Sequence, residues 1–340
     1  MIFVTGGTGM LGSYLLLELL EQGQEVRASR RKESSFETTK KIFHALSSSG
    51  EQLFSKIEWV NIDLSNSAEV EQYLDDVSVV YHCAAQINGS SESKYQLVKN
   101  NQEITESIVN ASLRKGVDKF CYVSSIAALG NTYGNRSISE TTSWKAHKNN
   151  SMYSVSKYYS ELEVWRAMAE GLNAVIINPS VILGIGNWQK GSANLFEKIY
   201  NGLKYYTLGS SGFVDARDVA KIMLLLVDCK TCFGQSYIVS AENLNYQQLF
   251  EKIAQALSVK PPYIYATKVL TFLAWNIEWI KSHFLGFEPL ITKESAQTAH
   301  KILSYNNTKL LDVLPFKYRD IDTSIKEIAS VFLSENSNKS

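Results

Sequence analysis

The chain has 340 residues, of which 45% are hydrophobic and 20% are charged, and its 34 Lys and Arg residues balance 34 Asp and Glu residues. This composition is typical of a soluble globular protein of one or two domains and argues against disordered and fibrous classes. Because nucleic-acid binding needs a basic excess, we expect no nucleic-acid partner. No apolar run reaches the ~20 residues of a membrane span, and no signal peptide precedes the first predicted strand, so we expect a cytoplasmic protein.

Strand and helix patterns alternate through the first half of the chain, which predicts a parallel sheet with crossover helices. The predicted strands cover residues 2–5, 25–29, 57–62, 77–83, 119–124 and 174–178. The predicted helices between them cover residues 10–22, 67–74, 95–115 and 152–169. The fold class is therefore α/β, with a Rossmann-type doubly wound parallel sheet.

The pattern loosens after Pro179, where residues 181–194 are predicted to form a loop and residues 213–227 a loop that becomes a helix. Further elements are predicted at 194–201, 236–239, 246–257, 269–282 and 324–332. We expect three parts: a dinucleotide-binding domain of residues 1–178, to which 213–240 return; a smaller, mostly helical substrate lobe of 179–212 and 241–333; and a disordered tail, 334–340.

The four cysteines are Cys83, Cys121, Cys229 and Cys232. The last two form a CxxC pair, but no second pair or histidine stands at a metal-ligand spacing. We therefore expect no metal site and four reduced, structural thiols.

A glycine-rich turn lies between the first predicted strand and the first predicted helix. A helix N-terminus offers free N–H groups and a partial positive charge to a pyrophosphate, so this turn predicts a dinucleotide site. Gly6 permits the tight turn, Gly9 lets the backbone approach the phosphates, and Gly12 lets the helix pack on the strand. The predicted cofactor contacts here are Thr5, Gly6, Gly7, Thr8, Gly9, Met10, Leu11 and Gly12.

Basic residues follow the second strand, where an NAD-binding protein usually carries an acidic residue for the ribose 2′-hydroxyl. Arg30, Arg31 and Lys32 suit a 2′-phosphate instead. We therefore predict NADP(H) as the preferred cofactor, with NAD(H) as the alternative. Four residues after the third and fourth strands are predicted to contact the cofactor: Asp63, Leu64, Ala84 and Ala85.

Tyr153 and Lys157 stand four residues apart on a predicted helix and share a face. A free tyrosine has a pKa of about 10, and a nearby ammonium would lower it, so Tyr153 is predicted to act as general acid/base. Ser125 follows a buried strand, at the sheet edge where open α/β folds bind ligands, and can hold the substrate oxygen. Ser124 is the alternative. Ser124, Tyr153 and Lys157 are also predicted to contact the cofactor, with Lys157 bonded to the nicotinamide ribose.

Together these residues resemble the extended short-chain dehydrogenase/reductase family, also called the NAD-dependent epimerase/dehydratase family, and within it the dihydroflavonol-4-reductase and cinnamoyl-CoA reductase branch. The motifs that carry the resemblance are Thr5-Gly-Gly-Thr-Gly-Met-Leu-Gly12, Asp63-Leu64, Tyr81-His-Cys-Ala-Ala85, Tyr122-Val-Ser-Ser125, Tyr153-Ser-Val-Ser-Lys157, Asn178-Pro-Ser180 and Val214-Asp-Ala-Arg-Asp218-Val-Ala220.

The resemblance implies that Ser125, Tyr153 and Lys157 form the catalytic set. It also implies that Asn178, Pro179 and Ser180 flank the nicotinamide, and that Asp215 and Asp218 tie the substrate lobe to the cofactor domain. A homodimer formed through the helices 95–115 and 152–169 is a family expectation only.

Three reactions occur in this family, and the sequence separates them in part. Dehydratases place an acid–base pair after the serine, whereas Ile126 and Ala127 stand there and cannot move protons. The basic residues after the second strand argue against a sugar epimerase. Reversible reduction of a ketone or aldehyde by NADP(H) is the favoured function. An NAD-dependent nucleotide-sugar epimerase, a non-catalytic NADP-sensing regulator and a hydroxysteroid-type dehydrogenase remain as alternatives.

The substrate pocket is predicted to be walled by residues 86–95, 129–150, 183–191, 205–213 and the C-terminal helices. Their aromatic side chains suggest an uncharged, partly apolar small molecule: Tyr133, Trp144, Trp188, Tyr205, Tyr206 and Phe213. The aromatic segment 269–287 is predicted to be a helix that packs on the substrate lobe, with an interfacial membrane helix as the alternative.

Overall fold

The computed structural model describes residues 1–86, 94–130, 137–147, 150–273, 275–276 and 298–337. The strands of the main sheet are β1 (Ile2–Thr5), β2 (Val26–Arg30), β3 (Glu58–Asn61), β4 (Val79–His82), β5 (Lys119–Val123), β6 (Ala174–Pro179) and β10 (Gln235–Val239). They form one parallel sheet in the order β10-β6-β5-β4-β1-β2-β3. This order confirms the predicted Rossmann-type doubly wound fold.

Helices cover both faces of this sheet. Those of the first half are α1 (Met10–Glu21), α2 (Glu37–Leu46), α3 (Gly50–Ser55), α4 (Ser67–Gln72), α5 (Lys94–Lys115) and α6 (Met152–Ala169). Those of the second half are α7 (Asn194–Tyr200), α8 (Ala216–Asp228), α9 (Tyr246–Ala256), α10 (Thr308–Val313) and α11 (Ile321–Ser337).

Two smaller sheets complete the fold. The strands β7 (Val181–Leu183), β9 (Ser210–Asp215) and β11 (Glu242–Asn245) pair in the order β11-β9-β7, and β8 (Tyr205–Tyr206) pairs with β12 (Ile264–Tyr265). The sequence predicted a loop over residues 181–194 and at the start of 213–227. The structure instead has the strand β7 in the first range and the end of β9 in the second. β9 reads as Ser-Ser-Gly-Phe-Val-Asp and has no alternation of its own, so its pairing with β7 and β11 depends on tertiary context.

The core lies on both sides of the main sheet because successive side chains of a strand point to opposite faces. Val4 belongs to the apolar cluster shared with α1 and α8, whereas Phe3 belongs to the cluster on the other face. Both side chains are fully buried. The sheet thereby fixes the positions of its own carboxyl ends, where the predicted site residues are found.

The C-terminal helix α11 corrects the prediction of a disordered tail. It extends to Ser337, whereas disorder was expected from residue 334 onward. Glu335 anchors the end of this helix, because its carboxylate accepts a hydrogen bond from Trp188 Nε1 at 2.9 Å and pairs with Lys41 Nζ at 2.8 Å. Residues 338–340 lie outside the described part of the chain.

Half of the predicted helix 269–282 falls outside the described residues. Residues 269–273, 275 and 276 are helical. Among the helices that the structure describes, none combines the length and the apolar character needed to cross a bilayer. Within the same ranges, no group of three His, Cys, Asp or Glu side chains is arranged to hold a metal ion.

The prediction of four reduced thiols is wrong for one pair, because Cys229 and Cys232 form a disulfide. The two residues flank the turn between α8 and β10, and their Cα atoms lie 5.3 Å apart, within the range that a disulfide spans. Cys83 and Cys121 are free thiols.

This pairing predicts the outcome of thiol counting on unfolded protein purified without reductant. Alkylation should modify only Cys83 and Cys121 before reduction, and all four cysteines after it, as read by intact-mass spectrometry. The variant Cys229→Ser should show three modified thiols in both conditions. Four modified thiols in the unreduced wild-type protein would contradict the disulfide.

Candidate active site

A cavity of about 1670 Å³ opens at the carboxyl ends of the parallel strands. Open α/β sheets bind their ligands at this edge. Most of the predicted site residues line it: Gly6, Thr8, Gly9, Met10, Leu11, Gly12, Arg30, Arg31, Lys32, Asp63, Leu64, Ala84, Ala85, Ser124, Ser125, Tyr153, Lys157, Pro179 and Ser180. Three predicted residues do not line it and lie behind its wall: Thr5, Gly7 and Asn178.

The glycine turn fits a bound pyrophosphate. Gly6 has a φ of +71°, and a Cβ atom there would lie 2.8 Å from the backbone nitrogen of Ala84. A Cβ atom at Gly12 would collide with the carbonyl oxygen of Gly6. Gly9 caps α1 without a side-chain hydrogen bond, so the first N–H groups of the helix remain available to an anion in the cavity.

A buried chain of hydrogen bonds, not anticipated from the sequence, holds this turn against β4. Thr5 Oγ1 accepts from the Ala84 N–H at 3.2 Å and lies 2.7 Å from His82 Nδ1. The other ring nitrogen of His82 lies 3.2 Å from Thr105 Oγ1 on α5. Burial lowers the pKa of His82 to about 3, so the ring is neutral and acts as a fixed spacer between β1 and α5.

The basic residues after β2 lie at one end of the cavity. The Arg30 guanidinium donates from Nε to Asn61 Oδ1 at 2.8 Å and lies 4.5 Å from the centre of the Phe36 ring. These contacts hold it in one orientation, while Arg31 and Lys32 are exposed. Nearby, the exposed Asp63 carboxylate accepts from the N–H and the hydroxyl of Ser65.

Tyr153 and Ser125 meet at the other end. Both side chains line the cavity, and Ser125 Oγ accepts from the Ala127 N–H at 3.1 Å. Burial raises the pKa of the Tyr153 phenol, and the Ser125 hydroxyl lowers it by less. The expectation that a neighbouring ammonium lowers this pKa is wrong for the protein alone, because burial raises it and the lowering effect comes from Ser125. The phenol keeps its proton at neutral pH.

Lys157 is buried and lies one helical turn after Tyr153 on α6. Its Nζ donates to the carbonyl oxygen of Val123 at 2.8 Å and lies 5.2 Å from the centre of the Tyr122 ring. Burial lowers the pKa of Lys157 to about 8, against opposing effects of Cys83 and Glu161. This ammonium can therefore lose its proton near physiological pH.

Glu161 is the main site residue that the sequence reasoning missed. Its buried carboxylate accepts from Ser124 Oγ at 2.6 Å, from Asn178 Nδ2 at 3.0 Å and from Trp165 Nε1 at 3.1 Å. The sequence feature that could have identified Glu161 is its position four residues after Lys157, which places both side chains on the same helix face. The side chain of Ser124 is thus engaged with Glu161, which leaves the Ser125 hydroxyl as the one that acts on the pKa of Tyr153.

Asn178 joins this network from β6. Its Nδ2 also donates to the carbonyl oxygen of Ser125 at 3.1 Å, which fixes the backbone beside the catalytic candidates. Its Oδ1 is buried and has no hydrogen-bond partner within the described structure. Asn178 therefore supports the site from behind the cavity wall.

Five of the six aromatic side chains predicted to wall the substrate pocket do not line the cavity. Trp188 and Phe213 belong to the core, and Trp144 stacks on Tyr158 with ring centres 4.1 Å apart. Neither Tyr205 nor Tyr206 lines the cavity, and Tyr133 lies outside the described residues. The apolar and aromatic side chains that line this end are instead Leu129, Ile138, Ile182, Tyr246, Leu303 and Tyr305.

The residues predicted to link the two lobes, Asp215 and Asp218, make ion pairs and hydrogen bonds at the start of α8. Asp215 caps α8 and pairs with Arg217, whose guanidinium also contacts Glu327 of α11. Asp218 accepts from the Arg319 N–H at 2.8 Å. The start of α8 is thereby attached to the C-terminal segment.

Comparison with known proteins agrees with this geometry. Residues 2–236 match the model of the NAD dependent epimerase/dehydratase family. A Synechocystis protein named "Putative dihydroflavonol 4-reductase" is 26% identical over 340 residues, covering 97% of this chain and 94% of that one. The Dictyostelium discoideum sterol-4-alpha-carboxylate 3-dehydrogenase, decarboxylating, is 24% identical over 323 residues, covering 91% and 93%.

Among solved structures, the crystal structure of gox2253 superposes with a TM-score of 0.79 at 26% identity and covers 98% of both chains. The family match covers well over half of the chain, and the relatives match nearly all of it. These matches confirm the resemblance predicted from the motifs. The protein belongs to the NAD-dependent epimerase/dehydratase family and is an NAD(P)-dependent oxidoreductase of the extended short-chain dehydrogenase/reductase type.

Proposed function

We propose that this protein is an NADP(H)-dependent reductase that converts a ketone or aldehyde of a partly apolar small molecule into an alcohol. One observation carries the proposal: Tyr153, a phenol that keeps its proton, lines one cavity together with Ser125 and the buried Lys157. A protonated acid at neutral pH suits the direction in which a carbonyl oxygen must receive a proton.

Each residue then has a defined task. Ser125 holds the substrate oxygen beside Tyr153, and Tyr153 donates the proton from its phenol oxygen. Lys157, with its pKa of about 8, holds the ribose of the cofactor and can return a proton toward Tyr153. When bound, the nicotinamide cofactor supplies the hydride that the carbonyl carbon requires.

The rest of the cavity would hold the cofactor and set its identity. The free N–H groups at the start of α1 suit the pyrophosphate. The Arg30 guanidinium, oriented by Asn61 and Phe36, suits a 2′-phosphate and is assisted by the exposed Arg31 and Lys32. Pro179 and Ser180 would flank the nicotinamide, and Asp63, Leu64, Ala84 and Ala85 the adenine half. Asn178, which was also predicted to flank the nicotinamide, lies behind the cavity wall.

A nucleotide-sugar epimerase that uses NAD is the second candidate. Two cations, Lys190 and Lys301, line the cavity and would suit the diphosphate of a nucleotide sugar. The family name itself includes epimerases.

A binding titration separates the two candidates. Purified protein would be titrated calorimetrically with NADPH, NADH and UDP-sugars and then assayed with a panel of ketones and aldehydes. The proposal predicts tighter binding of NADPH than of NADH, and oxidation of NADPH by at least one carbonyl compound. Preference for NAD(H) together with tight UDP-sugar binding would favour the epimerase.

Replacing Tyr153 with Phe removes the donated proton and leaves the ring in place. We expect the rate of carbonyl reduction to fall by at least about 100-fold while the Kd for NADPH changes little. The matched control is Tyr159→Phe, an exposed residue on the same helix, which should retain wild-type kinetics. Equal turnover by Tyr153→Phe would remove this residue from the mechanism.

Replacing Arg30 with Ala tests cofactor choice. We expect the Kd for NADPH to rise about tenfold or more and the Kd for NADH to remain unchanged, because only NADPH carries the 2′-phosphate. Lys56→Ala removes the same charge from an exposed position outside the cavity and should change neither value. An equal loss for both cofactors would contradict the assigned role.

Replacing Glu161 with Gln tests the buried carboxylate. The negative charge of Glu161 raises the pKa of Lys157, so removing the charge should lower that pKa. The alkaline limb of the kcat/KM profile, expected near pH 8, should therefore shift to lower pH, with a loss of activity of about threefold to tenfold. Glu163→Gln, on the same helix and bonded to Gln102, should keep the wild-type profile. An unshifted limb in Glu161→Gln would show that Glu161 does not act on Lys157.

A further inference from the structure

The substrate lobe carries a face that exposes many large apolar side chains. We define the docking face as the segments 204–208, 260–273 and 300–302. Nine of the sixteen exposed large hydrophobic side chains in the described parts of the chain lie on it: Tyr205, Leu208, Tyr263, Tyr265, Val269, Leu270, Phe272, Leu273 and Ile302. Such a concentration marks an interaction site, because single exposed apolar residues are common but clusters are not.

Hydrogen bonds join the three segments. β8 pairs with β12, and the Tyr263 N–H donates to the carbonyl oxygen of Lys204 at 3.0 Å. Thr271 Oγ1 lies 2.9 Å from His300 Nε2, which connects the helical residues after β12 to the third segment. The apolar side chains therefore project from one connected part of the lobe.

The charge on this face has one sign. The three segments contain Lys204, Lys260, Lys268 and Lys301 and no Asp or Glu. Lys260 Nζ lies 4.2 Å from the centre of the Tyr263 ring, so a cation sits beside an exposed aromatic side chain. Exposed apolar and aromatic residues among lysines are typical of surfaces that bind anionic lipid headgroups.

The docking face also borders the cavity. Lys301 belongs to the face and lines the cavity, and Leu303, two residues further on, lines its apolar end. A molecule that leaves a lipid layer at this face would therefore meet the cavity without crossing the polar remainder of the surface.

We propose that the docking face seats this protein on the surface of an anionic phospholipid bilayer, from which an apolar carbonyl substrate enters the cavity. Binding of the docking face to the bilayer does not depend on the proposed reductase activity. Only the delivery of substrate to the cavity rests on the proposed function. A second copy of the chain is a poorer occupant, because two such faces related by a two-fold axis would bring lysines against lysines without a carboxylate. No membrane-crossing helix is required, since the exposed side chains enter only the headgroup region.

Vesicle flotation of the full chain tests the seating without cofactor or substrate. We expect the protein to float with vesicles of phosphatidylcholine and phosphatidylserine, to bind phosphatidylcholine alone at least about tenfold more weakly, and to lose binding as salt increases. The double variant Phe272→Ser/Leu273→Ser should bind anionic vesicles at least about tenfold more weakly, since both side chains are exposed and contribute apolar contact. Lys204→Gln/Lys268→Gln should reduce the dependence on phosphatidylserine.

The matched control is Leu311→Ser/Val313→Ser, which removes two exposed apolar side chains from α10 and should bind as the wild type does. Absence of wild-type binding, or undiminished binding by Phe272→Ser/Leu273→Ser, would overturn the proposal. The proposal would also be overturned if the wild-type protein does not bind vesicles but sediments as a dimer, and Phe272→Ser/Leu273→Ser dissociates that dimer. The docking face would then bind a second copy of the chain. NADPH oxidation with a water-soluble carbonyl compound is measured separately, so failure of the docking and failure of the reductase are distinguishable.

Discussion

The buried carboxylate of Glu161 is the interaction on which the geometry of the candidate site depends. It accepts hydrogen bonds from Ser124, which follows β5, from Asn178 of β6 and from Trp165 of α6. Because neighbouring residues of an extended chain point in opposite directions, holding Ser124 inward turns Ser125 outward. The helix α6 also carries Tyr153 and the buried Lys157, which line the same cavity as Ser125. A carboxylate in this position would be costly without its three donors and the nearby ammonium, so each part supports the others.

Sequence reasoning identified the elements whose signals are local. The alternation of strands and helices, the glycine turn and the spacing of Tyr153 and Lys157 predicted the sheet and both ends of the cavity. It failed where the signal depends on distant partners. β9 pairs with strands on either side of it, and the Glu335 anchor of α11 requires Trp188 and Lys41, which are far away in sequence.

The roles of buried polar residues were also hidden for a physical reason. His82 and Glu161 resemble ordinary residues of a strand and a helix, and only their burial and their partners reveal what they hold. The pKa of Tyr153 was predicted in the wrong direction because the sequence indicates the neighbouring ammonium but not the desolvation. Aromatic side chains were assigned to the pocket although several belong to the core, since composition alone does not separate the two environments.

The two ends of the cavity differ in the kind of ligand that they suit. The end near the glycine turn is built from backbone N–H groups and basic side chains, which suit a phosphorylated dinucleotide. The other end has apolar and tyrosine walls and adjoins the lysine-rich docking face. Together they describe an oxidoreductase that would take its soluble cofactor from one side and a partly apolar substrate from the other. The Asp215–Arg217–Glu327 ion pairs attach the start of α8 to the C-terminal helix α11.

The most direct test of the central claim follows deuterium from the cofactor into product. The protein would be incubated with NADPH deuterated at C4 of the nicotinamide and with the carbonyl panel, and the products would be analysed by mass spectrometry. The account predicts an alcohol with deuterium on the former carbonyl carbon, formed in equal amount to the NADP⁺ produced. Interconversion of UDP-sugars without net consumption of cofactor, and no labelled alcohol from any carbonyl compound, would contradict it.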